Sequence, residues 1–209
     1  ALQKLAELEE TGALALNSAL AIRNCYRDLL GSGLLRAGVP APHGMLIDTA
    51  AAPASLRLGE IDPTRGVYVK RGDLHALSPG DVQRVDGFDE LAASLLSFRN
   101  RGVKLAYVQQ AVSGTVIKFY GVSGAEYFAA LPEQGEFPDR ALRNLRRGAE
   151  QAADALGLEV WGGDAVFSGD HVTIIDFNDW PSYSRVRKEA ARAIARRAMM
   201  LVRRPRHAI

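Results

Sequence analysis

The chain has 209 residues, with 26 Lys and Arg against 24 Asp and Glu, for a formal net charge of +2. That length suits one large domain or two small ones with substantial cores, and the near-balance of charge excludes the basic footprint of a nucleic-acid-binding protein. The single cysteine, Cys25, excludes an internal disulfide framework and fits a reducing compartment such as the cytoplasm.

No apolar run reaches the ~20 residues of a membrane-spanning helix, and "ALQKLAELEETG" is acidic and lacks the apolar core of a signal peptide. In that stretch Leu2, Leu5 and Leu8 recur at spacing three and predict a helix over 1–10. After "TGALALN", Asn17-Ser18 reads as the N-cap of a helix through Leu35, stopped by Gly38 and Pro40. "GMLID" predicts a short strand, and "AAPASLRLGEIDPTRG" a loop with room for a helical turn. "GVYVK" predicts a strand over 66–70 ending in Lys70; "DVQRV" is a second strand, reached through the loop "RGDLHALSPGD". "FDELAASLLSFRNRG" is an amphipathic helix with Leu91, Leu95 and Leu96 turned inward.

"KLAYVQQAV" and "TVIKFYGVSG" predict strands on either side of a short turn. The polar loop "EQGEFPDR" leads to a long helix from about Ala141 to Leu156, then a hairpin, "LEVWGGDAVFSGDHVTIIDFND", and a closing helix, "RKEAARAIARRAMMLV". The arginines toward the end of that helix read as a solvated, basic helix end. The order predicts a mixed α+β chain in two small lobes with mostly antiparallel sheets, hinged near Gln109–Gly114.

The hairpin carries the chemistry. Val172-Thr173-Ile174-Ile175 is a β-branched run that ends in Asp176, Asn178 and Asp179 before Trp180-Pro181. Asp176 and Asn178 are two residues apart and so share a face. Clustered oxygens suit a hard cation such as magnesium; the competing reading is an Asx-rich turn before a proline. Asp164 on the partner strand decides between them. With a two-residue turn at Gly169-Asp170, Asp164 would face Ile175; with a three-residue loop including His171 it would stand opposite Asp176, Cβ atoms ~5 Å apart. The metal reading therefore requires an odd loop, and a two-residue turn without a bulge would remove it. Without a cation the opposed carboxylates would repel.

In order along the chain, "ALNSALAIRNCYRDLLGSGLLRAGVPAP", "GVYVK", "YVQQAV", "TVIKFYGVSG" and "GGDAVF…VTIIDFNDWPS" resemble segments of the ATP-grasp superfamily, in particular the glutathione-synthetase/RimK-like ligases and the inositol trisphosphate 5/6-kinases. The resemblance runs from about Ala13 to Ile194. It implies an α+β ATP-grasp fold whose two small lobes clasp a nucleotide. Residues 1–16 would be a remnant of a preceding domain, 17–108 the first lobe and 109–209 the second. It implies ATP and Mg2+ as cofactors, with Lys70 and Lys118 on phosphate, Gln109, Gln110, Ala111 and Val112 along the adenine, Arg27 as a further cationic contact, and Asp164, Asp176 and Asn178 on the metal. His75 is a candidate for phosphate or substrate contact in catalysis, and Ser182, Ser184 and Arg185 for the acceptor pocket.

Residue chemistry agrees in part. Only five of the 26 basic residues are lysines (Lys4, Lys70, Lys104, Lys118, Lys188), and two of the five lie within predicted strands near the expected phosphates; the alternative is that they snorkel at a sheet edge. The chain also departs from the family. Arg27 stands where a lysine is usual, Gln110 is neutral where an acid is common, and Asp176 and Lys118 stand where the ligases carry Glu and Arg, a pattern closer to the kinases. "DWPSYSRVR" lacks the kinases' glycines, and the resemblance implies only a remnant of the usual preceding domain here, the chain being either a fragment or a member with a reduced first domain. The expected activity is that of a carboxylate–amine ligase working through an acyl phosphate on a small-molecule acceptor, with no nucleic-acid or membrane partner. The alternatives are a small-molecule kinase and a non-catalytic ATP-binding module. Nothing in the residues identifies the acceptor or the oligomeric state.

Overall fold

The computed structural model describes residues 1–52, 55–72, 78–124, 127–133 and 135–203. In chain order the helices are α1 (Leu2–Glu10), α2 (Ala19–Asn24), α3 (Arg27–Arg36), α4 (Phe88–Asn100), α5 (Asp139–Leu156) and α6 (Arg187–Arg203). The strands are β1 (Gly44–Asp48), β2 (Val67–Arg71), β3 (Val82–Val85), β4 (Leu105–Gln110), β5 (Thr115–Val122), β6 (Tyr127–Pro132), β7 (Val160–Ser168) and β8 (His171–Asn178). They form two sheets, β1-β4-β2-β3 and β6-β5-β7-β8, and every strand pair is antiparallel. The residues divide into two units: one holds 26–32 and 41–112, with the first sheet; the other holds 1–25, 33–40 and 113–209, with the second.

In the first unit, β-branched alternation sets the sheet's two faces. Val67, Val69, Ala106 and Val108 are buried against Leu91, Leu95 and Phe98 of α4. Leu96 was expected inward but is 54% exposed. Residues 91, 95 and 98 follow the i, i+4, i+7 stripe of one helix face, and position 96 falls well round from it.

The expected single helix from Ser18 to Leu35 is two. Ser18 caps α2 as expected, its Oγ accepting from the Ala21 amide. The Cys25 amide then donates to Ile22 O, a tighter bond that ends α2, and Tyr26 O accepts from both Leu29 and Leu30 as α3 begins. Strand β6 was absent from the expected elements. It is an edge strand whose six residues are all half-buried, so it shows no alternation to read, and it ends at a proline, as an edge allows.

The second unit is built around aromatics. Phe119, Trp161 and Phe177 pack at centroid distances of 5.5–6.3 Å. The buried Asn17 ties the N-terminal stretch to this sheet. Its Nδ2 donates to Val160 O (2.7 Å) and Asp179 O (2.5 Å), and its Oδ1 accepts from the Glu159 (2.6 Å) and Val160 (3.0 Å) amides. The arginine-rich end of α6 is not wholly solvated: Arg197 is buried and grips Glu159, its Nε 2.5 Å from Oε2. A charge so placed is retained because its partner is placed with it.

Candidate functional site

The β7–β8 hairpin reaches the Asp164–Asp176 pairing through a two-residue turn and a bulge, not through the odd loop expected. Ser168 pairs with His171, so the turn holds two residues, Gly169 and Asp170, and the three-residue loop is corrected. The ladder runs regularly to Ala165↔Ile174, skips Ile175, and resumes at Asp164↔Asp176, Gly163↔Phe177 and Gly162↔Asn178. Ile175 is thus a bulge, one extra residue that shifts every later side chain to the other face. Gly163 accommodates it: a Cβ there would lie 2.1 Å from the Asp176 carbonyl oxygen.

On β5, Lys118 pairs with Asp164. Lys118, Asp164 and Asp176 therefore form a row across three strands, on the face opposite Phe119 and Phe177. Lys118 Nζ donates to Asp164 Oδ1 at 2.8 Å. Partial burial works against the ammonium, but the hydrogen bond and charge of Asp164, with Tyr120 and Glu133, outweigh it and hold Lys118 above the ordinary lysine value. Asp176 Oδ1 accepts from the Phe177 amide at 3.1 Å. Burial, and then the charges of Asp179 and Asp176, push the Cys25 thiol far up, which keeps it protonated and inert.

Among the described residues, no three His, Cys, Asp or Glu side chains are grouped to hold a metal. A cation at this hairpin would be held by two carboxylates and the Asn178 amide oxygen. That donor set fits Mg2+, which takes few protein oxygens and fills its remaining positions with phosphate and water.

In the first unit, Lys70 is 8% exposed and Gln109 7%. Lys70 pairs with Tyr107 and Gln109 with Tyr68, so the two stand diagonally on the face away from Val69 and Val108. Lys70 Nζ donates to Gln109 Oε1 at 2.8 Å. A guanidinium nitrogen of Arg27 donates to the Arg71 carbonyl, next to Lys70. The Gln110 side chain braces the 62–66 turn, accepting from the Asp62 amide (2.8 Å) and donating to Gly66 O (2.8 Å). The Gln110 amide donates to His43 O and the Ala111 amide to Gly66 O. Val112 closes this unit's sequence.

The sequence reading passed over Asp81, whose side chain is 1% exposed. It pairs with Arg101 and Arg71, and accepts from the Ser78 amide at 3.0 Å. The signal was present as the capping pattern "SPGD". His75 lies outside the described residues. Ser182, Ser184 and Arg185 are exposed, on and beside the short turn Tyr183–Val186, with the two serine hydroxyls 3.3 Å apart. Tyr183 anchors that turn, its hydroxyl lying 3.0 Å from Trp161 O and 3.1 Å from Gly121 O. A cleft of about 270 Å³ in the second unit, beside Val39, Asn144, Arg147 and His171, is lined by none of these candidate residues.

No protein-family model matches the chain, and no curated protein does. Solved structures match over nearly all of it. D-alanine–D-alanine ligase from Bacillus anthracis, complexed with ATP, is 15% identical with a TM-score of 0.72, over 95% of this chain and 74% of that one. The ATP-grasp ligase PsnB, complexed with a precursor peptide and AMPPNP, is 17% identical with a TM-score of 0.64, over 96% of this chain and 65% of that one. This chain has the ATP-grasp fold. An L-amino acid ligase from Bacillus licheniformis is also similar, at 15% identity and a TM-score of 0.65, over 87% of this chain and 47% of that one. The expected α+β class with mostly antiparallel sheets is the one the chain adopts, its two sheets having four strands each. No helix among its described residues is long and apolar enough to cross a membrane.

Proposed function

We propose that this ATP-grasp chain is an Mg·ATP-dependent carboxylate–amine ligase that activates its small-molecule acceptor as an acyl phosphate. The observation that carries the reading is the row Lys118–Asp164–Asp176, which aligns a protonated amine with two opposed carboxylates on one sheet face. The similar structures are ligases, one complexed with ATP and one with AMPPNP, and this supports it.

In this reading Asp164, Asp176 and Asn178 hold Mg2+, which neutralises phosphate charge. Lys118 offers its ammonium to the phosphates, and Lys70 does the same from a position set by Gln109. Arg27 steadies the strand end that follows Lys70. Gln109 through Val112 line the adenine; because the Gln110 and Ala111 amides are engaged within the unit, this contact falls to their carbonyls and to Val112. His75 contacts phosphate or acceptor. Ser182, Ser184 and Arg185 receive the acceptor, whose carboxylate suits the Arg185 guanidinium. A carboxylate oxygen attacks the γ-phosphorus, the β–γ bridging bond breaks, and ADP leaves. An amine then attacks the acyl carbon, phosphate leaves, and the amine gives up a proton. The residues contribute position and charge. A cytoplasmic location belongs to this reading, on the strength of the single buried Cys25.

One observation favours a second reading. Asp176 and Lys118, in place of the Glu and Arg of the ligases, match the kinase pattern, in which an acceptor hydroxyl would keep the phosphoryl group.

Calorimetric titration with AMPPNP, with and without Mg2+, tests the site. Wild-type chain should bind in a magnesium-dependent way and Asp176→Ala should not. Phosphorus NMR with acceptors then separates the readings, free phosphate marking a ligase and phosphorylated acceptor a kinase. No binding at millimolar AMPPNP would reduce the chain to a fold without the chemistry.

A further inference from the structure

Asp164 has two claimants. Lys118 Nζ already donates to its Oδ1 at 2.8 Å, and the register puts Asp176 directly across the ladder on its other side. A divalent cation drawn to the Asp164–Asp176 pair meets a carboxylate whose charge an ammonium has already offset. Lys118 is half-exposed on a flexible stem, so its head can leave Asp164 for another anion without leaving its strand. A phosphate is such an anion.

We infer that Lys118 is the built-in counter-cation of Asp164 and sets the hairpin's metal affinity: it weakens the binding of a cation alone and releases Asp164 when a phosphate takes the ammonium over. The inference rests on the Mg·ATP reading for the phosphate and on the Lys118–Asp164 ion pair for the competition. Its consequence is that metal and nucleotide reinforce each other, reciprocally. Lys118 is here a positioning residue toward the metal, acting through Asp164.

The test is Mn2+ binding without nucleotide, followed by the electron paramagnetic resonance of free Mn2+, on wild type, Lys118→Met, Lys118→Arg, Asp164→Asn and the Lys118→Met/Asp164→Asn double variant. Removing an opposite charge beside a carboxylate shifts its affinity for a cation by about tenfold or more. Lys118→Met is therefore expected to bind Mn2+ about tenfold more tightly than wild type, and Lys118→Arg to match wild type. The gain should vanish in the Asp164→Asn background, which a general loss of packing would not produce. Lys118→Gln serves if the methionine variant does not fold. Equal or weaker Mn2+ binding on removal of the charge would overturn the inference, as would a gain that survives Asp164→Asn. A gain in Mn2+ affinity together with no AMPPNP binding would remove the nucleotide reading and leave the competition for Asp164 standing.

Discussion

The two strand lysines, given matching roles in the proposed site, differ in burial and in the side chain that accepts from each. Lys70 in β2 is buried and donates to a neutral amide, that of Gln109. Lys118 in β5 is half-exposed and donates to a carboxylate, that of Asp164. A carboxylate partner offsets an ammonium's charge as well as orienting it. The difference is one of mobility: burial holds Lys70 in place, whereas the exposure of Lys118 leaves its head room to exchange anions in the proposed site.

The largest expected effect breaks one side of the comparison. Gly163→Ala forces a Cβ against the Asp176 carbonyl beneath the bulge. It is expected to cost about 3 kcal/mol, read by urea unfolding of the full chain, and to abolish Mg2+-dependent AMPPNP binding while leaving the Lys70 unit intact by hydrogen exchange. Next, if Lys70 contacts phosphate as proposed, Lys70→Met removes a charge-assisted contact, and a loss of about 10–100-fold in AMPPNP affinity is expected in calorimetry. Undiminished affinity would show that Lys70 is only a packed strand residue. A sharper variant adds a carboxylate beside Lys70. Gln109→Glu supplies a carboxylate at 2.8 Å from its ammonium and should weaken nucleotide binding by about tenfold, an effect that higher salt leaves largely in place because the pair is buried. The smallest effect concerns the bulge. Deleting Ile175 joins Ile174↔Ala165 directly to Asp176↔Asp164 in a regular ladder. Mn2+ affinity should change by less than about threefold, and loss of binding would mean that the bulge itself, beyond the pairing it produces, shapes the site.

The elements most legible in the sequence were those with clear periodicity. β2, β5 and β8 announced themselves through their β-branched residues, and α5 shows a stripe of Ala141, Leu145, Ala149, Ala152 and Leu156. β6 did not, because a half-buried edge strand shows no alternation. Lys118 and Asp164 were each singled out, but their ion pair was not, since it joins residues 46 apart through a register that no local pattern specifies. The bulge was illegible for a related reason. A three-residue turn and a two-residue turn plus one skipped residue produce the same opposition of Asp164 and Asp176, and the register between them, Ser168↔His171 and Ala165↔Ile174, is what distinguishes them. Asp81 was passed over because a capping residue reads as punctuation until its two arginine partners are seen.

Asn17 has a consequence for how this protein is made. Its amide is satisfied by residues 142 to 162 positions later in the chain. At ~10 residues per second on the ribosome, the stretch around Asn17 emerges ~15 s before the peptide groups it will bind. During that interval residues 41–112 are synthesised complete, with every strand of their own sheet in hand. The vectorial order of synthesis thus favours the unit that carries Lys70 to fold first, while the unit that carries Lys118 waits, its first segment in solution, for residue 179 to appear.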